Sequence, residues 1–166
     1  MLGSVVVRAT ILMATVLWAW AEVLKIQRPR QVEPARRLWT ISLTLALLHA
    51  VVAFEVAYHW SHGAASMDIA RQTAAVTGIV WGGGIFVDYL FLALWVADAL
   101  WWWIAPVAYI RRSVRVERAR LALFVFMFVN GAILFASHTA RAVGVPSVAA
   151  VCITWALRTR RHPVHG

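Results

Sequence analysis

The chain has 166 residues, 62% hydrophobic and 14% charged, against about 45–50% and about 25% in soluble domains. One domain of this length has no core large enough to hide so much apolar surface, whereas a bilayer solvates it. The net charge of +9 sits in short arginine clusters between apolar stretches with no DNA- or RNA-binding motif beside them, which argues against nucleic acid and for topological charge.

The pattern predicts an all-α fold, a polytopic integral membrane helical bundle forming a single domain over residues 1–166. It has about five transmembrane helices, four plus a short fifth. The first apolar run covers residues 5–24, interrupted by Arg8 and closed by Glu22. Ala19-Trp20-Ala21 resembles a signal-peptidase site. Cleavage there would leave a basic cluster on the translocated side, so the run is read as a retained span. The second run covers residues 38–60 and the third 77–104. Between them, Ser66, Asp68, Arg71, Gln72 and Thr73 stand among alanines. That segment predicts a short helix at the outer interface or an extension of the third span, with Asp68 and Arg71 paired at i, i+3. The fourth run covers residues 121–137. The fifth, 143–157, spans only roughly 22 Å at 1.5 Å per residue and carries Pro146 near its start.

Orientation follows from the basic residues. Lys25, Arg28, Arg30, Arg36 and Arg37 follow the first span, Arg111, Arg112, Arg115, Arg118 and Arg120 follow the third, and Arg158, Arg160 and Arg161 follow the fifth. Five spans put all of these on one side and leave only Arg8, Arg71 and Arg141 on the other. The positive-inside rule makes the crowded side cytoplasmic, so the amino terminus lies outside and the carboxyl terminus inside, in a bacterial-type cytoplasmic (inner) membrane. Trp18, Trp20, Trp39, Trp101, Trp102, Trp103 and Trp155 are expected near the inner interface and Trp60 and Trp81 near the outer one, as aromatic anchors. The one cysteine, Cys152, excludes an intramolecular disulfide and a Cys-based zinc knuckle.

Ionisable residues inside spans are costly and usually face the bundle interior. Counted at 1.5 Å per residue, His49, Asp88 and Asn130 are expected roughly 12–17 Å beneath the outer surface, and Glu55 roughly 7–10 Å. Glu55, His59 and His62 stand at i, i+4 and i+7, so all three are expected to project from one helical face. One carboxylate and two imidazoles make a partial ligand set for Zn, Fe or Cu. The expected metal ligands are therefore His59, His62, Glu55, Asp88, His49 and His138, with Asn130, Tyr89, Asp68 and Arg71 in support. A haem b would instead need His138 opposite His49, His59 or His62. On the third span Trp81, Asp88, Trp95 and Trp102 recur every seven residues, and Gly78 and Gly82 form a GxxxG step suited to close helix packing. For Asp98 two roles stay open, the inner end of an ion path or a plain pair with an arginine just inside the membrane.

No P-loop, GxSxG, HExxH or CxxCH motif is present. The first functional reading is redox or metal-dependent chemistry at a site in the outer half of the bundle. The competing readings are a non-catalytic subunit of a larger membrane complex or homo-oligomer, and a proton or metal-ion path from Asp88 and His49 towards Asp98.

Overall fold

The computed structural model describes residues 2–28, 32–134 and 137–161. Arg30 and residues 135–136 of the fourth expected span lie outside that set. The described residues form α1 (Leu2–Gln27), α2 (Val32–Tyr58), α3 (His62–Thr77), α4 (Gly84–Ile104), α5 (Pro106–Ile110), α6 (Val114–Val129), a π-helical segment (Asn130–Leu134) and α7 (His138–Arg161). The protein is all-helical, and α1, α2, α4 and α7 are each long and apolar enough to cross a membrane. The shortest expected span, 143–157, thus belongs to a helix of 24 residues, about 36 Å long. Pro146 consequently sits in its interior rather than its first turn.

Local sequence explains where the elements stop. Pro106 disfavours helical backbone at the residue before it. Ala105 accordingly leaves the helical region, at φ −133° and ψ 64°, and α4 ends there. Ser113 opens α6 by accepting from the amide of Val116, and Ser61 opens α3 by accepting from Ala64.

The third expected span divides. Gly78, at φ 76°, caps α3 in the left-handed region, where glycine carries no side-chain penalty. The chain then runs irregularly to Gly84, where α4 begins. The Gly78–Gly82 step therefore lies off any helix, although close packing persists in another form. A Cβ on Gly82 would come within 2.7 Å of the Ser66 carbonyl of α3, so the loop lies directly against that helix.

The centre is built from one repeated spacing. Ala14, Trp18 and Ala21 on α1, Ala35, Trp39 and Ser42 on α2, and Trp95, Ala99 and Trp102 on α4 each occupy i, i+4 and i+7, and all are buried. Small residues let helices approach in an apolar medium where burial alone gives little drive to associate. The Ser42 hydroxyl donates to the Ala14 carbonyl at 2.6 Å, a direct α1–α2 tie. The indoles fill the remaining space: Trp18 stacks on Phe128 with centroids 4.1 Å apart, and Trp39 meets Phe124 at 4.8 Å and Trp95 at 5.5 Å. Trp18, Trp39 and Trp102, expected as interfacial anchors, are instead core residues. The reason is their spacing with the alanines, which turns them towards neighbouring helices. Trp20, Trp60, Trp81, Trp101 and Trp103 are exposed, as anchors would be.

Candidate functional site

The polar residues expected in the outer half have separate partners. His49 Nδ1 donates to the Val7 carbonyl of α1 at 2.9 Å, an interhelical tie. Asn130 turns back on its own helix, Nδ2 donating to the Phe126 carbonyl at 2.7 Å where the π segment begins. Glu55 accepts from the Trp60 indole. His59 and Trp60 both take left-handed backbone, at φ 45° and 61°, and α2 ends at Tyr58. His59 and His62 therefore do not continue the helical face of Glu55. His62 Nδ1 instead lies 3.2 Å from the Tyr89 hydroxyl of α4. His138 is exposed at the start of α7.

Asp88 is four residues into α4 rather than eleven into a helix from Thr77, which places it only about 6 Å along the axis from the first residue. Its side chain forms no hydrogen bond or ion pair among the described residues. Asp68 pairs with Arg71 at 3.1 Å, as the spacing predicts, and also accepts from Gln72 and Tyr58, each at 2.9 Å. Burial would raise the Asp68 carboxyl, but these donors outweigh it and hold it below the ordinary aspartate range. Among the described residues, no three His, Cys, Asp or Glu side chains gather as a metal would require.

The concentrated polar chemistry lies at the opposite end, where the arginine clusters are. Glu22 of α1 and Arg120 of α6 are buried and face each other, with Arg120 Nη1 and Nη2 donating to the two carboxylate oxygens at 2.7 and 2.8 Å. This forked geometry is the strong form of a charge-assisted pair. Arg120 also donates to Glu117 at 2.7 Å. Lys25 Nζ lies 3.3 Å from Glu22 and 3.5 Å from Glu117. Arg112 donates to Glu117 through Nε at 2.6 Å and sits 3.3 Å from Asp98. Asp98 thus has its arginine, and it accepts a 2.9 Å hydrogen bond from Tyr109 as well.

Three carboxylates and three cations balance, and they join α1, α4 and α6 through the short connection containing α5. Aromatic rings complete the shell. The Lys25 ammonium stands 5.1 Å from the Trp39 ring and 5.4 Å from Trp102. Tyr109 stacks on Trp102 at 4.5 Å, and Arg112 covers its other neighbourhood at 3.7 Å. Such cation–π contacts gain strength when desolvated. Burial pushes the Tyr109 phenol far above its ordinary range, with the Arg120 charge opposing, so the phenol stays protonated and keeps donating to Asp98.

Beside this network opens a cavity of about 400 Å³ between the ends of α1, α2, α4 and α7 and the start of α6. Its charged lining is Lys25, Arg28, Arg112, Arg118 and Arg158 against Glu117 alone, and Trp102, Tyr109 and Trp155 supply aromatic walls. Lys25 and Arg112 are already paired within the network. Arg28, Arg118 and Arg158 are exposed and make no ion pair among the described residues. A cavity with apolar walls and a few converging polar groups is the usual form of a small-ligand site. This one is cationic at its rim.

Reading the arginines only as topology signals hid this site. The available clue was Glu22 closing an apolar run, with Lys25 three residues on, and the matching Glu117–Arg120 spacing at the start of α6. Each pair lies on one helical face. That the two faces meet across 98 residues is a tertiary fact no local pattern encodes. No family model, curated protein or solved structure matches the chain.

Proposed function

We propose that the protein is a five-span integral membrane protein, amino terminus outside and carboxyl terminus in the cytoplasm, acting as a non-catalytic binding module whose cytoplasmic end takes an anionic ligand. The crossing added to α1, α2, α4 and α7 is the fourth in chain order, the helical run of α6 and the π segment, whose uncharged part, residues 121–134, is about 21 Å long. The positive-inside rule supports the orientation, since it sets the arginine-rich end in the cytoplasm.

One observation carries the binding reading: the cavity rim holds three arginines without carboxylate partners beside a network that is already neutral. Extra cations there are not needed to balance the network, and they leave an electrostatic vacancy for an anion. Guanidinium groups suit phosphate or carboxylate because their donors match two oxygens at once.

The test is a melting series on the full chain, purified in neutral detergent at low salt, with inorganic phosphate added. A ligand that binds only the folded state raises the melting temperature in a saturable way. The reading expects a saturable rise that fades as sodium chloride is added, because exposed charges are screened. No rise at any phosphate concentration, or one equalled by chloride at the same ionic strength, removes it.

A further inference from the structure

We infer that the occupant of this cavity is a phosphate-bearing lipid, its headgroup on the Arg118 and Arg158 rim and its chain running out along the apolar side of α5. The inference rests on the anion-binding reading above and adds the hydrocarbon. Phosphate alone would account for the arginines but not for what surrounds them. Ile110 and Val114 line the cavity and are 57% and 49% exposed. Val107 lies one turn before Ile110 on α5 and is 62% exposed, and Ile104, ending α4, is 79% exposed.

Two of these exposed apolar side chains thus stand in the cationic cavity itself, and the other two precede them along the chain on α5 and at the end of α4. Water disfavours such exposed apolar surface, whereas an acyl chain covers it at about 25 cal/mol per Å² removed from water. Position agrees with chemistry. The cavity lies at the ends of four helices long enough to cross a membrane, which is headgroup level for a spanning bundle. Basic pockets between spanning helices at this level suit anionic headgroups. Trp155 and Tyr109 present rings on the wall, and aromatic side chains with a polar edge favour the same boundary.

The experiment uses the delipidated full chain in neutral detergent and native mass spectrometry with four probes: phosphatidic acid, phosphatidylglycerol, phosphatidylcholine and soluble glycerol phosphate. Phosphatidic acid and phosphatidylglycerol should remain bound under activation that strips phosphatidylcholine, and glycerol phosphate should bind at least about tenfold more weakly than phosphatidic acid, a 1.4 kcal/mol difference. The double variant Arg118→Gln, Arg158→Gln should lose the preference for anionic lipid while melting, without ligand, at the temperature of the parent chain. That melt shows the variant is folded, since neither arginine belongs to the network.

Ile104→Asn, Val107→Asn, both outside the cavity lining, should weaken phosphatidic acid and leave inorganic phosphate binding unchanged. Equal retention of phosphatidylcholine and phosphatidic acid overturns the inference. So does glycerol phosphate binding as tightly as its diacyl form, which leaves the anion-binding reading standing. Failure of every phosphate compound, inorganic phosphate included, overturns both.

Discussion

The two ends of the bundle use their polar side chains in opposite ways. At the end with α3 the contacts are separate and small: Asp68 with Arg71, Gln72 and Tyr58, Glu55 with Trp60, His62 with Tyr89, and Asp88 with no hydrogen bond or ion pair among the described residues. At the arginine-rich end, Glu22, Lys25, Asp98, Arg112, Glu117 and Arg120 share partners across helices distant in sequence. Local pairs between exposed groups are screened and contribute little. A shared, desolvated network penalises the loss of any member because its neighbours are left charged and buried. Rigidity, and with it a shaped cavity, therefore belongs to one end.

The largest expected effect is on Glu22→Gln. Removing one member of a buried pair costs roughly 3–5 kcal/mol, so the variant should melt far below the parent in detergent or fail to purify as a monodisperse species. Glu22→Leu with Arg120→Met removes both charges and should recover part of the loss, since the paired hydrophobic replacement avoids the orphaned cation. Next comes Asp98→Asn, which weakens the Tyr109 and Arg112 contacts together. Hydrogen bonds to charged groups contribute about 1.5–3 kcal/mol, and a calorimetric melt should show a drop in that range. Tyr109→Phe removes its hydrogen bond to the Asp98 carboxylate and should fall at the low end of that range, about 1.5 kcal/mol.

At the other end, His62→Ala and Glu55→Gln should each shift stability by no more than about 0.5 kcal/mol, as exposed substitutions usually do. A drop there as large as that of Asp98→Asn would erase the contrast between the ends. The smallest effect concerns acid. Asp68 has a lowered folded pKa, so its contribution is complete above the unfolded value near 3.9 and is lost as pH falls through the folded one. Proteolysis between α2 and α3 should accelerate only below about pH 4, and Asp68→Asn should abolish that pH step.

Much of the fold was legible because hydropathy and charge operate over long runs. Four apolar helices, the short helix after the second and the Asp68–Arg71 pairing follow from pattern alone. The break after Tyr58 was not, because it falls at two non-glycine residues in left-handed backbone, His59 and Trp60, a conformation that side chains of these types rarely adopt. Splitting the third run at Gly78 moved Asp88 towards the helix start and removed the depth argument that grouped it with His49. The indoles were misassigned for a related reason: tryptophan near a helix end serves as anchor or core, and only the alanines beside Trp18 and Trp39 distinguish the two. The network escaped because Arg120 and Glu22 are informative only as a pair.

A double-mutant cycle on Glu22 and Arg120, run beside one on Asp68 and Arg71, tests the contrast most directly. Neighbouring residues in one network couple by about 0.5–3 kcal/mol; the account predicts at least about 2 kcal/mol for Glu22–Arg120 and no more than about 0.5 kcal/mol for Asp68–Arg71. Equal coupling at the two ends, or none between Glu22 and Arg120, would contradict it.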